Sequence, residues 1–433
     1  METIIYELNA VWIYLAAMLV IFMQAGFALL EAGSTQMKNA GHVAGKQVLS
    51  FAIGAIVFWA FGYGITFGEG NGFFGTQGWF LKGFEGFATG LTSGDLPVEL
   101  TYLFQYGFAA VSLAIAWGGF AERAKLSVYF VFGTLFMIVI YPAIGHWVWG
   151  GGWLGELGML DFAGSTVVHL TGAIAALIAT LLLGPRLGKY NKNGKPNAIP
   201  GHNQVYTVLG TLILWLGWFG FNPGSTLQTG AAQFTYVALT TNLAAAAGAI
   251  FALLAAKLHS GKADIPATLN GVLAALVAIT APSAFVEPWA AVVIGGAAGF
   301  ITYFTAVYFE RKKVDDPVCA FSVHGIAGIW GTISIGLFGV AELTGGSAGL
   351  FYGGGLKLLG IQTLGVVAAG LYVAVITFVI LGIMKVTMGI RVSEEYEVAG
   401  LDISEHGSYG YPELLKKSEE KKNLHLSAES SSV

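Results

Sequence analysis

A single cysteine, Cys319, in 433 residues leaves no internal disulfide and no cysteine-based metal site. Charge is equally scarce. Asp, Glu, Lys and Arg make up 11% of the chain, against about 25% in soluble domains. A globule that poor in charge would show water long apolar patches, which soluble monomers avoid. A net charge of −4, with no basic patch between the apolar segments, argues against nucleic-acid binding. What the chain has instead is 55% apolar residues and a mean hydropathy of +0.69. Its 62 glycines are about twice the usual share of ~7%, and glycine lets membrane helices pack closely. The composition is that of an all-α polytopic membrane protein.

A span needs about 20 mostly apolar residues. Eleven such stretches lie at roughly 9–30, 47–68, 101–121, 128–149, 163–184, 204–222, 233–257, 266–281, 289–309, 318–340 and 358–384; the eighth is the shortest. Met1–Ala10 carries Glu2 and Glu7 but no Lys or Arg, unlike the basic start of a signal peptide, so the first span is expected to be kept. Alternating the spans puts 19 of the 21 Lys and Arg on one side and only Lys82 and Lys357 on the other. The positive-inside rule then sets the N-terminus outside and the C-terminus in the cytoplasm, in the cell (cytoplasmic) membrane. The outer side also collects ten acids, Glu85 and Asp95 among them. That surplus is either a cation-concentrating vestibule or simply soluble loops.

The eleven spans hold no mid-span Lys or Arg, and their carboxylates sit near span ends. Ionisable groups deep in a membrane are costly and usually functional, which leaves His146, His169 and His324. His146, beside Pro142 and two tryptophans, reads as a packing histidine. The other two share a pattern. Each lies eight residues after an aspartate, Asp161 or Asp316, and directly after a valine. They occupy spans five and ten, which run in opposite directions. That spacing predicts a 5+5 inverted repeat plus an eleventh helix, with the substrate site near the midplane. Eight residues of helix rise about 12 Å, so the two imidazoles can meet. Asp161 is expected to cap the start of span five. Two neutral imidazoles in an apolar lumen suit a small polar molecule or a relayed proton. A bis-histidine haem is the enzyme-like alternative, whereas a di-metal site lacks its acidic bridges.

Asp161-Phe-Ala-Gly-Ser-Thr-Val-Val-His169, Trp218-Phe-Gly-Phe-Asn-Pro-Gly-Ser225 and Phe321-Ser-Val-His-Gly-Ile-Ala-Gly328 resemble the Amt/Mep/Rh ammonium transporters. The segment Gly389–Gly407 resembles the bacterial and archaeal Amt branch. The resemblance covers nearly the whole chain and implies a homotrimer with one pore per subunit that imports ammonium without any cofactor. It assigns the twin histidines to His169 and His324 and an outer recruitment site to Phe108, Trp149 and Ser225. A stacked gate falls on Phe108 and Phe221, and Asp161 becomes structural support for the recruitment site. An aromatic site of this kind binds a desolvated cation with about 2 kcal/mol or more. Cys319 departs from a position that is often acidic in the family, which removes any inner-mouth role carried by that side chain.

The transmembrane domain is thus expected over 1–384, followed by a cytoplasmic tail over 385–433. Residues 389–411 match the family's ordered regulatory segment, and the Lys- and Ser-rich remainder reads as disordered. The resemblance also implies a PII-type signalling protein as a partner at the cytoplasmic face. Two rival functions remain open on the sequence. One is a Rh-like electroneutral channel for NH3 or CO2; the other is an ammonium sensor signalling through its tail, although no output domain is recognisable there.

Overall fold

A computed structural model describes residues 2–84 and 96–414. Glu85 and Asp95, and the tail beyond 414 that the sequence reads as disordered, lie outside the described residues. Among the described residues there is no β-strand. Ten helices are long and apolar enough to cross a membrane. They are α1 (Thr3–Ser34), α2 (Met37–Phe67), α3 (Val98–Trp117), α4 (Leu126–Glu156), α5 (Ser165–Leu183), α6 (Gln204–Thr226), α7 (Gly230–Ser260), α9 (Pro288–Arg311), α10 (Phe321–Phe338) and α11 (Lys357–Thr387). Between α7 and α9 lies α8 (Ile265–Thr280), a shorter apolar helix of 16 residues. Its length is about 24 Å, and Gly271 to Thr280 are buried in protein.

Local chemistry sets the helix ends. Asn203 accepts the N–H of Tyr206 at the start of α6, and Asp264 accepts that of Ala267 at the start of α8. Thr35 donates back to the carbonyls of Glu31 and Ala32 at the end of α1, covering acceptors that a helix end leaves free. Large apolar side chains such as Leu258, Val386 and Leu371 remain exposed on the outer wall. The core runs down the middle, among α1, α3, α5, α6, α8 and α10. Four helices carry π-helical segments, among them Ser165–Leu170 in α5 and Phe321–Ile326 in α10. Such turns shift the face a side chain presents and recur at functional sites.

One expectation about the spans needs correcting. The apolar spans 9–30 and 47–68 place Glu31 and Lys46 in the loop between them. Instead α1 continues to Ser34 and α2 begins near residue 37, so both side chains are buried, at 0% and 2% exposure. They tolerate burial because they face each other, with Lys46 Nζ 2.6 Å from Glu31 Oε2. The spans therefore do contain an interior cation, and it is a paired one.

After α11 the chain turns back under the bundle as α12 (Glu394–Ala399) and α13 (Leu401–His406). Asp402 accepts the N–H groups of Gly41, His42 and Gly410. Glu397 accepts from Leu187 N–H and pairs with Arg391 at 2.7 Å. Tyr411 meets His202 at 2.7 Å. The tail thus docks on its own helices, as far as the end of the 389–411 segment.

Candidate functional site

Asp161 organises the first half of the site. Its Oδ1 accepts the N–H groups of Gly164 and Ser165 at 2.8 and 2.9 Å. Its Oδ2 accepts those of Thr166 and Val167 at 2.9 and 3.0 Å. The capping expected of Asp161 thus involves four donors rather than one. Gly164 has a φ of +114°, a left-handed value that a side chain resists, and this lets the chain wrap around the carboxylate. Ser165 Oγ then donates to Val277 O and accepts from Ala281 N–H, both at 2.7 Å, fixing α5 to the end of α8. In the second half Asp316 Oδ2 accepts Phe321 N–H at 2.8 Å.

The two half-sites meet through close backbone approach. A Cβ on Gly172 would come within 2.4 Å of Ser112 O, and one on Gly328 within 2.6 Å of Ser165 O. Thr166 and Thr332 share a hydroxyl bond of 2.7 Å. The result is that His169 Nδ1 lies 3.2 Å from His324 Nδ1. The rings are nearly parallel, 14° apart with centroids at 5.3 Å. Both are buried, and His169 Nε2 has no protein partner. One Nδ1 must donate and the other accept.

A column of rings leads away from this pair towards the face opposite the tail. Phe221 lies 5.6 Å from His169, and Phe108 stacks on Phe221 at 4.0 Å and 29°. Trp149 meets Phe108 edge-on at 6.1 Å. At the top is a cavity of about 220 Å³ lined by Phe104, Gln105, Phe108, Trp149, Phe162 and Ser225, among others. Ser225 Oγ donates to Phe221 O at 2.8 Å, which leaves its lone pairs as acceptors. Trp149 Nε1 donates to Asp161 O at 2.8 Å, so Asp161 also fixes the indole from behind and does not line the cavity. No carboxylate is among the described lining residues; the cavity offers π faces and neutral oxygens.

Below the histidines, Phe27 lies 6.3 Å from His324. Nearer the tail, a cavity of about 150 Å³ is lined by Lys189, Glu310, Asp316, Cys319, Phe321 and Ser322, among others. Burial, helped by Asp316 and Glu310, pushes the Cys319 thiol up to about 12, so it stays neutral. Beside it, Arg186 grips Asp315 through Nε and Nη2 at 2.8 and 2.7 Å and also pairs with Glu122. Burial pushes the Asp315 carboxyl up, but the bonds and charge of Arg186 win and hold it at about 2. His146 lies apart from all this, with its nitrogens at the carbonyls of Thr66 and Asn71.

The structure thus brings together Phe108, Trp149 and Ser225 in one cavity, and Phe221, His169 and His324 in the column beneath it. Sequence reasoning missed three contributors. Trp218 stacks on His169 at 5.3 Å and 13°, held by a bond from its Nε1 to Thr280. Its spacing of three from Phe221 put both on one helix face, a signal present in the motif. Gln105 lines the upper cavity with an unpartnered Oε1, and Phe27 packs under His324; neither carried a sequence signal.

Comparison with known proteins shows the family. Residues 11–411 match the model of the Ammonium Transporter Family. Ammonium transporter Amt2 of Archaeoglobus fulgidus is 44% identical over 422 residues, covering 94% of this chain and 88% of that protein. An ammonium transporter of Bacillus subtilis is 38% identical over 412 residues, covering 94% and 99%. Among solved structures, a sensor Amt protein superposes with a TM-score of 0.87 at 35% identity, covering 94% of this chain and all of that one. Candida albicans Mep2 does so at 0.82 and 32%, covering 90% and 87%. The match along almost the entire chain establishes that this multi-pass membrane protein belongs to the ammonium transporter family.

Proposed function

We propose that the protein imports ammonium, taking up NH4+ in the cavity of Phe108, Trp149 and Ser225 and passing NH3 along His169 and His324. The observation that carries this reading is the unbroken column from Trp149 through Phe108, Phe221 and His169 to His324. At its top, π faces favour a cation and Ser225 accepts an N–H. The stacked Phe108 and Phe221 leave no polar group to replace a hydration shell, so NH4+ gives up its proton before going further. Alkali ions have no proton to give up and are rejected. Below, the paired imidazoles hold the uncharged molecule by hydrogen bonds and relay the separated proton through their shared Nδ1 contact.

In this reading α8 crosses with the ten longer helices, giving eleven spans with the N-terminus outside and the tail in the cytoplasm. With Lys46 set aside as part of α2, the 18:2 distribution of Lys and Arg supports that orientation. Three copies form a homotrimer, and the docked tail is the surface a PII-type protein would meet. A sensor is the second reading, favoured by the likeness to a sensor Amt protein and by the tail's contacts with the helix ends.

The test is electrical. Purified protein in liposomes on a solid-supported membrane is pulsed with ammonium and then with K+. An inward positive current with ammonium alone is expected, and it is lost in His169→Ala and His324→Ala. Internal alkalinisation without current would replace the relay with an electroneutral channel. Absence of both responses would favour the sensor.

A further inference from the structure

The buried ion pair of Glu31 and Lys46 has no place in the path described so far. A charge at membrane depth is expensive, and where it persists it usually serves ion or proton movement. The pair is fully internal, with no lipid contact to let either chain snorkel. Gln47 Nε2 donates to Glu31 Oε1 at 2.9 Å, and Lys46 Nζ reaches Trp117 O at 3.3 Å. The Lys46 ammonium also lies 5.4 Å from the centre of the Tyr129 ring.

Its position relative to the histidines follows from two contacts. Glu31 is one helical turn beyond Phe27, the residue packed under His324, and four residues of helix rise about 6 Å. Trp117, which holds Lys46, precedes Gly118. A Cβ on Gly118 would touch Val318 and Ala320, just ahead of His324 on the same strand of chain. Both contacts put the pair about a turn below the histidines on the tail side. Asp316 is two residues ahead of Val318, the residue that comes against Gly118 beside Trp117. Its Oδ1 is buried without a partner, and Asp316 lines the cavity near the tail.

We propose that Glu31 accepts the proton relayed along His169 and His324 and hands it, through Asp316, to the cytoplasmic cavity. This rests on the proton-relay reading above. In the step an imidazolium N–H bond at His324 breaks and an O–H bond forms on Glu31, directly or through a water. Glu31 is then neutral and leaves the Lys46 ammonium unbalanced beside it. That excess charge drives the proton off Glu31 to the free Oδ1 of Asp316 and on to cavity water. Lys46 is the positioning residue. It keeps Glu31 ionised and ready between turnovers, and it prevents the proton from settling there.

The experiment compares ammonium-evoked current with internal alkalinisation by NH3 in the same proteoliposome preparations. Glu31→Gln alone strands Lys46, so the informative variant is Glu31→Gln with Lys46→Met, which removes both charges at similar volume. The expected result is a tenfold or greater loss of current together with internal alkalinisation above that of the wild type, because NH3 that arrives without its proton takes one up from the lumen. Current within twofold of the wild type would mean that the pair only holds helices together and would overturn the proposal. Loss of current with no gain in alkalinisation, in a double variant that elutes and unfolds like the wild type, also overturns it, because a proton acceptor serves charge movement alone. If the double variant does not fold, Glu31→Asp keeps the ion pair but withdraws the carboxylate by one methylene. It should lower the current at least threefold, and an unchanged current refutes the role. A wild type with no ammonium current removes the relay itself, and with it this inference.

Discussion

Replacing Asp161 by asparagine tests how a single side chain holds the upper half of the path. The carboxylate accepts four backbone N–H groups, two on each oxygen, between 2.8 and 3.0 Å. Asparagine is the same size, but its one carbonyl oxygen can retain only two of these bonds. Its amide would face the remaining two N–H groups donor to donor. Asp161 is 5% exposed and Ser165, Thr166 and Val167 are at 0%, so water cannot take over. Each buried donor left unpaired costs about 1–3 kcal/mol, giving roughly 2–6 kcal/mol for the pair. The same change releases the Ser165–Leu170 turn that carries His169 and the carbonyl that holds Trp149. Transport should therefore fall with stability. Asp264 provides the control. It also caps a helix, but it is exposed and binds one N–H with its side chain, and asparagine caps as well as aspartate. Asp264→Asn should shift stability by less than about 0.5 kcal/mol. Unfolding in mixed micelles measures both variants. An Asp161→Asn protein as stable as the Asp264→Asn one would refute the argument that four buried N–H groups depend on this carboxylate.

Ser225→Ala with Trp149→Leu removes an acceptor and a π face from the upper cavity. The ammonium concentration for half-maximal current should rise roughly two- to thirtyfold, the equivalent of about 0.5–2 kcal/mol; an unchanged value would move recruitment elsewhere. Asp315 sits at about 2 in the folded protein against an ordinary 3.8. A depressed carboxyl stabilises the fold above pH ~4 and loses that contribution as pH falls through ~2, a change of about 2 kcal/mol. Unfolding measured from pH 5 to 2 should show this decline in the wild type and less of it in Asp315→Asn. At the tail, Asp402→Ala leaves three N–H groups without their acceptor. Proteolysis within 389–411 should speed up roughly thirtyfold or more, and equal cleavage rates would mean that other contacts hold the tail.

The sequence by itself determined everything that depends on local pattern. Runs of apolar residues fixed the long helices, because in lipid a backbone must satisfy its hydrogen bonds within its own segment. The repeated Asp-to-His spacing singled out His169 and His324, and the family resemblance pointed to Phe108, Trp149, Phe221 and Ser225. Tertiary structure decided what depends on contacts between distant segments. The Nδ1 atoms of His169 and His324 come within 3.2 Å because Gly172 and Gly328 let three helices approach. No spacing along one chain encodes that distance. Trp218 and Phe27 come against the two histidines only once their helices pack. Lys46 looked like a loop residue because a lone lysine cannot sit at membrane depth. Its partner Glu31 is 15 positions away on another helix, and the cost of burying either charge is met only when the fold brings the two together.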